Sequence, residues 1–163
     1  MATTQIDARG PRFAATLTTL VLAVALVTSP SAITTTLLVV QAAVFAVGAF
    51  AGVQHTPYAW IFKDLIRPRL GPPTHTEDAA PPRFAQAVGL AFAVVALAGY
   101  LSGATLLGAI ATGFALAAAF LNAAFGFCLG CEIYLLVRRV APTRHEHNHS
   151  TAGTRPATTE VSA

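Results

Sequence analysis

The chain alternates long apolar runs with short polar segments. Phe13 to Val53 is 41 residues without a charge, and Phe84 to Cys131 is 48. A helix crosses a bilayer in about 20 residues, so each run holds two spans. Each is broken once near its middle, at Thr28-Ser29-Pro30-Ser31 and at Gly99-Tyr100-Leu101-Ser102-Gly103. Those breakers fold each run into a tight hairpin. The predicted spans are Phe13–Thr28, Ala32–Val53, Phe84–Leu101 and Thr105–Ala124. A cleaved signal peptide is the competing reading of the first span. It fits poorly, because Pro30 sits badly for a peptidase and another apolar span follows at once.

The two runs resemble each other. Pro11-Arg12-Phe13-Ala14 recurs as Pro82-Arg83-Phe84-Ala85, an offset of 71. The same offset lays Val24-Ala25-Leu26 on Val95-Ala96-Leu97, Ser31 on Ser102, Thr34 on Thr105 and Arg67 on Arg138. It also lays Pro57–Arg67 on Cys128–Arg138. In the first copy, aromatic and aliphatic residues interleave with Lys63, Asp64 and Arg67, as in a helix lying in the membrane interface. Tyr58 and Trp60 are expected at headgroup level. The fold expected is an all-α membrane protein of four spans, built as two parallel tandem repeats. Each repeat is a hairpin plus a short interfacial helix. The units are 1–12, an N-terminal segment; 13–71, the first repeat; 72–82, a Pro-rich linker; 83–142, the second repeat; and 143–163, a disordered tail. Small residues at Gly48/Gly52, Ala85/Gly89/Ala93 and Ala109/Gly113/Ala117 are expected to pack helix on helix, and a homo-oligomer through one such stripe is open.

Composition sharpens this picture. Charged residues make up 10% of the 163, against about 25% in an average soluble domain. That excludes a soluble globular domain, a disordered chain and a disulfide-stapled secreted module. A net charge of +3 without a basic aromatic groove argues against nucleic-acid binding. All ten basic residues precede span one, lie between spans two and three, or follow span four. By the positive-inside rule both termini and the middle segment are expected in the cytoplasm of a bacterial inner membrane.

The chemistry rests on Cys128 and Cys131, the only cysteines, spaced as CxxC. Three readings stay open: a redox or sulfur-handling dithiol, half of a metal site, or two small packing residues. A zinc site would need further ligands from His145, His147 and His149, which read better as part of a solvated tail; no metal site is assigned. The offset puts Cys128 opposite Pro57, a first-turn residue, so Cys128 is expected at a helix start, where a thiolate is favoured. Cys131 follows one turn on. Glu132, His55, Asn122 and Gln86 are candidate supporting groups at the same ends of their elements, although each is also what a helix end beside water carries. Gln41, deeper in span two, is expected to bond between helices.

Asp7-Ala8-Arg9-Gly10-Pro11-Arg12-Phe13, Arg67–Pro73, Pro81–Gln86 and Phe127-Cys128-Leu129-Gly130-Cys131-Glu132-Ile133-Tyr134 resemble small bacterial membrane proteins grouped as domain of unknown function 4395. The resemblance covers about residues 7–140. It implies an actinobacterial membrane protein often encoded beside thioredoxin-like and rhodanese-type proteins, and so a thiol or sulfur role. The function expected is a membrane dithiol that exchanges electrons or sulfane sulfur with such a cytoplasmic partner. A small permease for a sulfur species and a non-catalytic anchor are the alternatives. No cofactor is evident; a lipid quinone could accept electrons, but no residue marks a site for one.

Overall fold

The computed structural model describes residues 5–71 and 75–140. Four long helices, each long and apolar enough to cross a membrane, form the bundle: α1 (Arg9–Val27), α2 (Ala32–Phe50), α5 (Ala80–Leu101) and α6 (Thr105–Phe125). After α2 a short 3-10 turn leads into α3 (Pro57–Ile61), a π turn over Phe62–Ile66, and α4 (Arg67–Leu70), wound as one helix. The wide turn has a local cause. Pro68 has no N–H to return to the carbonyl of Asp64, and its ring crowds that turn. After α6 comes α7 (Leu129–Val140).

The helices α1 and α5 begin one turn earlier than the apolar runs. Pro11, Pro81 and Pro82 are tolerated there, because first-turn N–H groups have no helical partner in any case. Asp7 Oδ1 accepts from the Arg9 N–H at 3.0 Å, and Asp78 Oδ1 accepts from the Ala80 N–H at 3.0 Å. The segment 72–82 is therefore more than a linker. Within it β2 (Thr76–Asp78) pairs antiparallel with β1 (Gln5–Asp7), in the register Gln5↔Asp78, Ile6↔Glu77, Asp7↔Thr76. The Arg9 guanidinium holds the Asp7 carboxyl below its ordinary range, while burial pushes Glu77 up.

Around the bundle the order is α1, α2, α5, α6, each antiparallel to its neighbours, with α1 packed most on α6 and α2 most on α5. Residues 71 apart touch at both ends. Ile6 pairs with Glu77 in the strands, and Ser29 Oγ donates to the Tyr100 hydroxyl at 2.9 Å in the turns. An approximate two-fold axis therefore runs along the bundle. Arg12 and Arg83 are also related by it, and each crosses to the other half. Arg83 donates to the carbonyls of Ala49 and Phe50 at the end of α2, and Arg12 to that of Ala123 near the end of α6. Carbonyls at a helix C-terminus have no helical donor, so a guanidinium there satisfies them and opposes the negative end of the dipole.

The offset is not constant along the chain. The buried rows of α1 and α5 keep 71, as in Leu22 with Ala93 and Ala25 with Ala96. Thr34, Leu38 and Gln41 of α2 correspond to Gly108, Thr112 and Ala115 of α6, an offset of 74. The pairings of Ser31 with Ser102 and of Thr34 with Thr105 are thus coincidences of sequence. α5 is three residues longer than α1, and that shifts everything after the turn.

The core is small: Leu22, Ala25, Leu38, Ala96, Ala111 and Ala115. Lipid tails are as apolar as leucine, so helices associate here by close fit. One very close fit is in the second hairpin, where a Cβ on Gly99 would lie 2.6 Å from the Gly108 nitrogen. Gly48 lies under the Gln86 side chain and Gly89 under Phe45. The stripe Ala109/Gly113/Ala117 does not pack as expected. A Cβ on Gly113 would meet nothing within 4 Å, because α6 turns the neighbouring row, Gly108, Ala111, Thr112 and Ala115, inward. Gly99→Ala should therefore lower stability by about 1–3 kcal/mol. Gly113→Ala should leave it unchanged or raise it by up to about 1 kcal/mol. Thermal unfolding of the purified protein in detergent separates the two.

Candidate functional site

The site is built where α6 ends and α7 begins. Gly126, with φ 69° and ψ 12°, closes α6. Its N–H bonds to the Asn122 carbonyl at 3.0 Å, and the Phe127 N–H bonds to that of Leu121 at 3.3 Å. This left-handed closure suits glycine. Two residues later Cys128 stands directly before α7. The Cys131 N–H donates to Cys128 Sγ at 3.4 Å, and the Glu132 N–H to the Cys128 carbonyl at 3.0 Å. The two cysteines are joined as a disulfide, their Cα atoms 5.2 Å apart, and both are half-buried.

The structural partner of Cys128 in the first repeat is Thr56, not Pro57. Thr56 precedes α3 and accepts from the Ala59 N–H at 3.2 Å, as Cys128 does from Cys131. The offset at this point is 72. Ring contacts agree: Phe62 lies 5.8 Å from Phe13, and Tyr134 lies 5.8 Å from Phe84. On this register Cys131 stands where the first repeat has Ala59.

α7 is held against α5 by Gly130, where a Cβ would lie 2.6 Å from the Ala85 Cα. Leu129, Ile133, Leu136, Val137 and Val140 form one exposed apolar row, and Arg138 stacks over Tyr134 at 5.9 Å. A helix with such a row and a basic flank suits the membrane interface.

The other predicted site residues do not gather round the cysteines. His55 Nδ1 contacts the Ala51 carbonyl of its own turn at 2.9 Å. Gln86 lies over Gly48 at the crossing of α2 and α5, its Oε1 buried without a partner. Asn122 is half-buried in the last turn of α6, and its carbonyl, not its amide, serves the Gly126 cap. Glu132 is exposed beside the cysteines, tied to them through its backbone alone. His145, His147 and His149 lie outside the described residues. The group that sequence reasoning missed is Arg12. Its side chain passes Gly126, where a Cβ would stand 3.8 Å from the guanidinium carbon. The repeat in PRFA marked Arg12 as paired with Arg83, but only folding shows which carbonyl end it reaches.

A second polar cluster lies deeper. Gln41, fully buried, donates from Nε2 to Thr18 Oγ1 at 3.3 Å, and its Oε1 accepts from the Tyr58 hydroxyl at 2.9 Å. The interhelical bond expected of Gln41 is present. Tyr58 differs from expectation: its hydroxyl turns inward between α1 and α2, and burial raises its pKa.

These features define a four-span membrane protein with a repeated hairpin and a cysteine pair at the start of its last helix. The family model described as Domain of unknown function (DUF4395) matches residues 6–139, and the chain belongs to that family. No curated protein and no solved structure matches it.

The Gln41 cluster makes a direct prediction. Tyr58→Phe removes the donor and leaves Gln41 Oε1 buried and unpaired. The expected loss is about 1–3 kcal/mol, read as a lower unfolding temperature. Trp60→Phe, at an exposed position of the same helix, should cost far less.

Proposed function

We propose that the protein is a membrane dithiol that exchanges electrons, or sulfane sulfur, with a soluble thioredoxin-like or rhodanese-type protein at the cytoplasmic face. The observation that carries this reading is the position of Cys128. It caps an amphipathic helix one turn before Cys131, at the basic end of the bundle. The free N–H groups and positive dipole end of α7 favour a thiolate there. In the reduced protein, Cys128 would attack a partner's disulfide. The partner's S–S bond breaks, one partner sulfur leaves as a thiolate, and a mixed disulfide forms. Cys131 then gives up its proton and attacks Cys128 Sγ. The partner departs as a dithiol and the Cys128–Cys131 bond closes, two electrons having passed to the partner. The sulfur-relay form would carry the transferred atom as a persulfide on Cys128.

The orientation belongs to the same reading. Among the described residues, the basic ones lie at one end of the bundle, the end expected to stay in the cytoplasm. Reporter fusions at Ser31 and Ser102 should read as external, and fusions at His75 and Ala163 as internal. An external His75 would place the cysteines on the opposite face and end the proposed partnership.

The dithiol itself is tested by trapping. Cys131→Ser should accumulate a mixed disulfide through Cys128 with a soluble thioredoxin-like protein, and Cys128→Ser should not. In the reduced wild type, Cys128 should be alkylated first near neutral pH. If both thiols stay unlabelled until the protein is denatured, the cysteines only pack, and the anchor reading replaces this one.

A further inference from the structure

Two helix ends of opposite sign meet at Cys128. The N-terminus of α7 favours a thiolate, while the carbonyl end of α6, two residues back, opposes it. We infer that Arg12 decides between them: it is the positioning residue whose charge neutralises the α6 terminus and favours the Cys128 thiolate. This inference rests on the dithiol reading above.

The argument comes from comparing the two symmetry-related arginines. Arg83 makes three contacts with the end of α2, Nε to Ala49 O at 3.4 Å, and Nη2 to Ala49 O and Phe50 O at 3.1 Å each. Arg12 makes one, from Nη2 to Ala123 O at 3.5 Å. Its side chain then runs past Gly126, where no side chain stands between it and the turn that leads into Cys128. No carboxylate claims it: among the described residues the one ion pair joins Arg9 to Asp7.

The other charged groups around the cysteine act differently. On α7, Glu132 is exposed one turn on and opposes a thiolate, and Arg138 and Arg139 lie near the far end of the helix. On α5, which packs against α7, Arg83 is engaged with α2, and the groups facing α7 are Phe84 and Ala85. The last turn of α6 contains no titratable side chain. On α1, Arg9 is paired with Asp7. Among the described residues, Arg12 is therefore the cation at the junction that no carboxylate holds. In the first repeat the equivalent junction carries Thr56, and its arginine acts only as a cap.

The test is the pH profile of alkylation at Cys128, with Cys131→Ser as background, in reduced full-length protein in lipid nanodiscs. Arg12→Gln should move the midpoint up by about half a pH unit or more. Arg12→Lys should stay near the parent. Arg83→Gln, which removes the matching cap from the other half, should leave the midpoint unchanged. High salt should raise the parent midpoint through screening, a readout that survives if Arg12→Gln fails to fold. Overlapping profiles for Arg12→Gln, Arg83→Gln and the parent would overturn the inference while leaving the dithiol reading intact, as would a parent midpoint indifferent to salt. A Cys128 that never labels before denaturation would remove both.

Discussion

Hydrocarbon offers no partner to a backbone amide or carbonyl. Within the bilayer a helix must satisfy its own groups, and the unpaired ones collect at its ends. This constraint organises the molecule. The span centres are nearly devoid of polar side chains, and Gln41 is admitted only with Thr18 and Tyr58 to hold it. At the ends the recurring device is a cap. Asp7 and Asp78 meet the first amides of α1 and α5, and Arg12 and Arg83 meet late carbonyls of α6 and α2. Thr56 and Cys128 begin the two interfacial helices.

The arginine caps also explain how two hairpins become one bundle. Apolar surfaces gain little by meeting each other in lipid. Specific polar contacts between halves therefore matter more than they would in water. Each arginine leaves its own repeat and binds the other, and the strands β1 and β2 do the same. The arginine contacts come as a pair because a contact between unlike ends of two related units occurs twice about the axis, whereas the strand pair joins like ends on the axis and occurs once.

Much of this was legible in the sequence, for a physical reason. Four spans, two turns and the interfacial segments follow from hydropathy and helix breakers, which act locally. The repeat was legible from PRFA, because α1 and α5 keep an offset of 71. Beyond the turns the offset changes to 74 and then 72, since an extra turn in one helix costs little in sequence but rotates everything after it. The pairing of Cys128 with Pro57 failed for that reason, though its consequence, a cysteine at a helix start, is what the structure has. The strand pair was hidden because three residues carry no periodic signal. The scatter of Gln86, His55 and Asn122 was hidden too. Residues at the same depth in a bundle can face different neighbours, and depth is all that span boundaries report.

The two repeats finally serve as controls for each other. Position 56 carries the threonine expected of a helix cap, whose hydroxyl is a good acceptor for a backbone amide. Position 128 carries cysteine, whose sulfur is a weak one. A serine or threonine would hold the start of α7 better, so capping alone does not account for the cysteine. The partner position differs too: Ala59 occupies the matching place in the first repeat with a smaller side chain. The two junctions differ in backbone and in fit, a 3-10 turn and Tyr58 in the first standing against the Gly126 closure and Gly130 in the second. At the capping positions themselves a hydroxyl and a methyl give way to two sulfurs, beside a guanidinium that makes a single long contact.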